Sequence, residues 1–178
     1  MQVDFLLDLF RLAKQKNIHT CIDSSGIAYK KNANPEWLAK LDELMTMTDL
    51  VMLDIKHIDP EKHKELTSQP NDGILAFAEY LNEKHVDMWI RHVIVPGITD
   101  DDKYLYQLGY FIGAFTNLKA LDALPYHTMG KPKYEKLGMA YKLEGVEPMD
   151  KNKLIEKKQV ILDGVRKRRE ELGLLPHA

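Results

Sequence analysis

The sequence predicts an α/β protein built on a parallel sheet. Three observations carry that reading. Helical and strand-like stretches alternate strictly along the 178 residues. The strand-like stretches are short and apolar, and the one from Asp87 to Val95 is rich in β-branched and aromatic residues. Polar residues gather at the carboxyl end of each such stretch, which is where parallel α/β folds bind their ligands.

Taken in order, Phe5, Leu6, Leu9, Phe10, Leu12 and Ala13 recur at helical spacing, with Asp4 and Asn17 as the candidate caps. His19 to Asp23 reads as a strand, stopped at Ser24-Ser25-Gly26. Pro35 suits a first helical turn, and Trp37, Leu38, Leu41, Leu44 and Met45 form the stripe behind it. Leu50 to Lys56 is the second strand. Val51, Leu53 and Ile55 face one way and Met52, Asp54 and Lys56 the other, because strand side chains alternate. Met45 and Met47 read as core packing. His57 and His63 fall in what reads as a solvated connecting loop.

A helix over Gly73 to Lys84 and a strand over Asp87 to Val95 come next. Thr99 and Asp100 to Asp102 open another helix, with capping side chains and acids at the positive end of its dipole. Leu118 to Leu124 is the fourth strand, followed by Pro125-Tyr126-His127, and a last helix spans Lys151 to Leu172. Its basic runs, interleaved with Glu156, Glu170 and Glu171, read as a solvated face. Between these elements, Thr128 to Pro148 has no clear periodicity. It reads either as a surface excursion packing Tyr134, Leu137 and Tyr141, or as a partner contact. Strict alternation implies right-handed crossovers. A helix that opens such a chain is expected to be the crossover from an earlier strand. The chain is thus read as a single domain, 1–178, that continues a larger sheet.

Composition excludes several classes. The net charge of −2 argues against a nucleic-acid binder held by counterion release. No apolar run approaches the ~18 residues needed to span a bilayer, and no signal peptide is visible, so a cytoplasmic location is expected. Cys21 is the only cysteine, so this chain alone forms no internal disulfide and no cysteine-built iron-sulfur site. The histidines do not fall at metal-ligand spacings on one helical face.

The strand ends hold the candidate chemistry. Asp23 and Ser24 follow the first strand, Asp54 and Lys56 end the second, Arg91 lies in the third, and Tyr126 and His127 follow the fourth. Each has an ordinary alternative. Asp23 can cap a turn, Asp54 and Lys56 can be a structural ion pair, Arg91 can bond a loop carbonyl, and His127 can be a half-buried structural histidine. Together they favour a ligand, since each polar group left unsatisfied in a buried place costs about 1–3 kcal/mol. That ligand should carry carboxylate, ammonium and hydroxyl groups.

The segments HTCIDSSG (19–26), TDLVMLDIK (48–56), WIRHVIVPGITDDD (89–102) and LPYHTMGKPKYEKLGMAYKLEGVEP (124–148) resemble the pyruvate formate-lyase activating enzymes, a family of radical S-adenosylmethionine proteins. The resemblance runs from about Leu7 to about Arg166 and corresponds to the C-terminal two-thirds of that family. It implies a partial, TIM-like (β/α)6 barrel, of which this chain would hold about four parallel strands with flanking helices. It implies S-adenosylmethionine and a [4Fe-4S] cluster as cofactors, with the cluster on a three-cysteine loop. A 5′-deoxyadenosyl radical would then abstract hydrogen from a glycine of pyruvate formate-lyase, with a flavodoxin-like protein as a candidate electron donor.

By position, Asp54 and Lys56 match residues beside the bound S-adenosylmethionine, and His127 matches one near its ribose and adenosyl part. Arg91 matches a catalytic-site residue on the side of the partner's glycine loop. Asp23, Ser24, Met52 and Asp54 match the surroundings of a monovalent cation, with Asp23 also beside the cofactor. The three-cysteine loop has no counterpart here. The expectation is therefore an inactive piece of a longer activase, binding neither cofactor by itself and self-associating along an open sheet edge. The alternatives are an activase of another glycyl radical enzyme, or a non-catalytic partner-binding module.

Overall fold

The computed structural model describes residues 2–175. Its strands are β1 (Cys21–Ser24), β2 (Leu50–Asp54), β3 (Met88–Ile94) and β4 (Leu118–Pro125). They form one sheet in the order β1-β2-β3-β4. Its helices are α1 (Val3–Gln15), α2 (Pro35–Thr46), α3 (Pro60–Thr67), α4 (Asp72–Glu83), α5 (Asp102–Ile112), α6 (Lys131–Lys136) and α7 (Lys151–Glu171). A 3-10 turn, Thr128–Gly130, precedes α6. The fold is the α/β class expected: four parallel strands with flanking helices. By packing, the chain divides into two compact units. The first runs up to Arg91 and takes in Ala114–Asp122; the second holds His92–Gly113 and the residues from Ala123 onward.

In the first unit, β2 lies between β1 and β3, parallel to both. Val51, Leu53 and Ile55 are fully buried, while Met52, Asp54 and Lys56 are only partly covered. The alternation in the sequence is therefore the real division between core and site. Leu41 and Leu44 of α2 and Ile74 and Leu81 of α4 complete the buried side. On α1, Val3, Leu7 and Phe10 are buried, whereas Phe5, Leu9 and Leu12 stand exposed on the helix's other faces.

The amino ends of β1 and β2 are pinned together by one acid. Asp49 accepts hydrogen bonds from the Thr20 backbone N–H at 2.7 Å and from Lys14 Nζ at 2.5 Å. In return, its own N–H reaches Thr20 Oγ1 at 3.2 Å. This exchange holds the register that sets Cys21 opposite Leu50 and Asp23 opposite Met52.

Three local expectations need correction. Helix α1 begins at Val3 with Gln2 at the cap, so Asp4 lies in its first turn instead of capping it. Asn17 comes one residue after the capping Lys16, in the left-handed conformation that asparagine tolerates. The larger correction concerns His57 and His63, which are buried. The segment expected as a solvated loop contains α3, started by an Asp59 side chain that accepts from Lys62 N–H and by Pro60 in the first turn. Burial holds the His63 imidazole below its usual pKa. These start signals were in the sequence, but α3 is short and carries no apolar stripe.

In the second unit, Ile94, Val95, Ala123, Tyr126 and Met149 form a small core, with Leu143, Val146 and Leu154 packed on it. Helices α5 and α7 meet backbone to backbone. A Cβ on Gly109 would stand 1.9 Å from the Ile161 carbonyl oxygen, and one on Gly164 2.3 Å from that of Tyr106. At the rim, Arg168 lies over the Tyr110 ring at 4.8 Å and Lys157 reaches Asp102 at 2.7 Å. Part of the basic run expected to be solvated thus clamps α7 to α5.

Two predictions follow from these contacts. Lys14 first, then the Thr20 N–H, hold the Asp49 carboxyl down at about 2. A depressed folded pKa means that stability is present above the unfolded value and is lost as pH falls toward about 2. The difference in urea midpoint between the protein and D49N should be largest near about pH 5 and shrink as pH falls through that window. G164A should cost about 1–3 kcal/mol in the same assay, because the methyl meets backbone that cannot swing aside.

Candidate functional site

The exposed face of the first unit's strands is set by register. Asp23 lies opposite Met52, Met52 opposite Trp89, and Asp54 opposite Arg91. Registered neighbours in a sheet share a face, so three strands aim these five side chains to one side. Arg91 is the centre. Its Nη2 donates to Asp23 Oδ1 at 2.6 Å and to Asp54 Oδ2 at 3.0 Å. Lys56 Nζ stands 3.3 Å from the same Asp54 oxygen. The cluster is graded in depth: the side chains of Asp54 and Arg91 are 17% and 21% exposed, whereas those of Lys56 and Asp23 are 39% and 55%.

Electrostatics hold the group together. Desolvation works to lower the Arg91 pKa, but the hydrogen bond and charge of Asp54, reinforced by Asp23, outweigh it and leave it raised. The Arg91 Nε–H is buried and has no hydrogen-bond partner in the protein. An orphan donor on a buried cation, beside two shared carboxylates, is a place where an added acceptor gains more than it would in water.

The structure gathers Asp23, Met52, Asp54, Lys56 and Arg91, all named from the sequence. It adds Trp89, which is 39% exposed and shares their face. The signal for Trp89 was present, since it stands two residues before Arg91 on the same strand. Ser24 is not gathered with them. It is in register with Leu53, on the opposite parity, and its Oγ accepts the Gly26 N–H at 2.9 Å. His127 belongs to the second unit, where it is exposed, extended, and immediately before the 3-10 turn. Its neighbour Tyr126 is buried, and its hydroxyl meets that of Tyr141 at 2.8 Å. That hydrogen bond, then burial, pushes the Tyr126 pKa up to about 12.

Two groups implied by the resemblance can be set against these side chains. Cys21 is the only thiol, and no group of three or more His, Cys, Asp or Glu residues gathers as a metal site among the described residues. These residues do not fit an iron-sulfur cluster. Of the residues matched to a monovalent cation, Asp23 and Asp54 converge on a single positive nitrogen of Arg91, whereas Ser24 lies on the opposite parity with its hydroxyl on the Gly26 N–H. No helix among the described residues is long and apolar enough to cross a membrane.

Residues 1–108 match the Radical SAM superfamily, so the chain belongs to that superfamily. Within it, the relatives are pyruvate formate-lyase-activating enzymes. The chain is 46% identical over 162 residues to that of Listeria monocytogenes, covering 88% of this chain and 64% of the relative. It is 47% identical over 148 residues to that of Streptococcus mutans, covering 83% and 56%. With pyruvate formate-lyase 1-activating enzyme of Escherichia coli K12 it shares 40% over 161 residues, covering 90% and 63%. The chain thus spans less than two thirds of the length of these relatives. The fold matches the crystal structure of a domain of pyruvate-formate lyase-activating enzyme from Bacteroides vulgatus, with a TM-score of 0.69 and 21% identity, covering 91% of this chain and 86% of that one.

The depth gradient predicts a contrast. D54N removes a carboxylate from beneath a partly buried guanidinium and should cost about 1–3 kcal/mol in urea denaturation. K56A removes an exposed partner and should cost less than about 1 kcal/mol. Equal losses would contradict the placement of Arg91 as the group that needs Asp54.

Proposed function

We propose that this chain provides the S-adenosylmethionine-binding sheet face of a radical SAM activase that acts on pyruvate formate-lyase. The observation that supports it is the Asp23–Arg91–Asp54–Lys56 cluster, found on one sheet face of a chain that belongs to the superfamily. A zwitterionic ligand needs both signs of charge within a few ångströms. Lys56 and the free Arg91 Nε–H offer donors to its carboxylate, and Asp54 and Asp23 offer acceptors to its ammonium. When bound, S-adenosylmethionine would supply a sulfonium whose carbon–sulfur bond is broken by one electron, in this reading from a flavodoxin-like donor.

The chain's own task is positional. Groups fixed on three strands orient a flexible, charged molecule before any bond breaks, which lowers the entropic part of the barrier. Met52 and Trp89 give that face apolar walls. Arg91 has a second role in this proposal, on the side that receives the partner's glycine loop. With a single cysteine, the 178-residue chain does not hold the cluster and is proposed to be inactive alone.

The test joins the cluster-binding region of the Listeria monocytogenes relative to this chain. The joined protein should give a glycyl radical signal on pyruvate formate-lyase by electron paramagnetic resonance, and the unjoined chain none. K56A should lower the radical yield at least about tenfold. R91A should lower it more than it lowers cleavage of S-adenosylmethionine without the partner. A cluster-loaded joined protein that makes no radical, or a K56A form that makes it normally, would overturn the proposal.

A further inference from the structure

Lys56 stands between two fixed peptide units. On one side Ile55 is fully buried, and its N–H continues the ladder to the Arg91 carbonyl at 3.1 Å. On the other side His57 is buried, and its carbonyl accepts from Asn71 Nδ2 at 3.2 Å. The same amide nitrogen reaches the Ile58 carbonyl at 2.8 Å. The His57 ring closes the turn, with its Nδ1 accepting the Asp59 N–H at 3.1 Å.

Asn71 departs from its local role. It is the residue before α4, where an asparagine side chain ordinarily accepts a hydrogen bond from the helix's first turn. Here it makes no capping bond. The side chain turns back to the end of β2 instead, and the residue is 2% exposed. A favourable local contact is given up for a tertiary one, and that contact is with the two carbonyls that follow Lys56.

His63 of α3 bears on the same point and is 1% exposed. Burial lowers its pKa, and a hydrogen bond between its ring and the His57 backbone opposes that fall, as a carbonyl acceptor does. The ring's Nδ1 is buried with no hydrogen-bond partner among the described residues. The histidine thus brings an unpaired nitrogen into the interior and makes its ring contact on the carbonyl that Asn71 also holds.

These anchors matter because the ion pair of Lys56 does not hold it. Its Nζ lies 3.3 Å from Asp54 Oδ2 with 39% of the side chain exposed, and a pair so open to solvent is weak. A lysine stem is long and flexible, so what the fold can fix is the backbone from which it starts.

We propose that Asn71 and His63 are positioning residues. By holding the His57 carbonyl they fix the backbone that offers the Lys56 ammonium to the carboxylate of the ligand, S-adenosylmethionine under the proposed function. This rests on that reading. Both residues are too deeply buried to touch the ligand and act through Lys56. A support for α3 and α4 alone would be indifferent to Lys56, and that difference can be measured.

The whole chain gives the first readout. In N71A and in H63L, amide hydrogen exchange at Asp59 should speed up at least about tenfold while the β2 amides stay protected. Unchanged exchange at Asp59 in both would overturn the proposal. The joined protein, loaded with its cluster, gives the second readout, its affinity for S-adenosylmethionine by isothermal titration. K56A should weaken binding about tenfold. N71A and H63L should each weaken it about fivefold when Lys56 is present and less than about twofold in the K56A background. H63Q, which keeps a side-chain donor, should stay within about twofold of the parent.

A loss of equal size with and without Lys56 would mean support of the fold alone and would overturn the proposal. So would full affinity in N71A and H63L, or H63Q as weak as H63L. If N71A does not fold, the H63L and H63Q pair decides. A cluster-loaded joined protein that binds no S-adenosylmethionine, or binds it as well in the K56A form, removes the reading on which the proposal rests. One that binds it through Lys56, while N71A and H63L keep full affinity, leaves that reading standing and ends only the positioning role.

Discussion

One guanidinium organises the candidate site. Arg91 reaches across β2 to β1, so that a single nitrogen holds Asp23 and Asp54 together. Without it, two carboxylates on neighbouring strands would repel one another on a half-covered surface. With it, they are neutralised and ordered, while the Nε–H of the same cation is left with nothing to bond. The cluster is thus neutralised and ordered, with one buried donor left unsatisfied.

That face depends on the other side of the same strand. Val51, Leu53 and Ile55 are driven inward by burial, which turns Met52, Asp54 and Lys56 outward by alternation alone. Alternation fixes the parity but leaves the alignment of neighbours open. A slip of one residue would send Asp23 to the side of Leu53 and leave Arg91 with one acid. The Asp49–Thr20–Lys14 knot at the opposite end of β1 and β2 guards against that slip. An ion pair at one end of the strands thus protects the candidate site at the other.

The second unit follows a different logic. Its long helices are held by the absence of side chains, since Gly109 and Gly164 let α5 and α7 come into backbone contact. Its small core also anchors the segment from residue 128 to 149, through Leu143, Val146 and Tyr141. With the anchoring supplied by those residues, Met129, Leu137 and Met139 of the same segment stand exposed.

The strands and most helices were legible in the sequence because they repeat a period that burial enforces. Helix α3 was not, since its signals are caps and not a stripe, and no cap says whether His57 and His63 are covered. The candidate site was legible only as residue types at strand ends. By itself the sequence determined the α/β class, the parity of β2 and the single cysteine, all of which are local or countable. Only the tertiary structure decided that Arg91 bridges Asp23 and Asp54, that Ser24 turns to the other face, that Trp89 joins the cluster and that Leu137 points outward. Those outcomes rest on register and on contacts between residues far apart in the chain, and no local pattern records the distance between two strands.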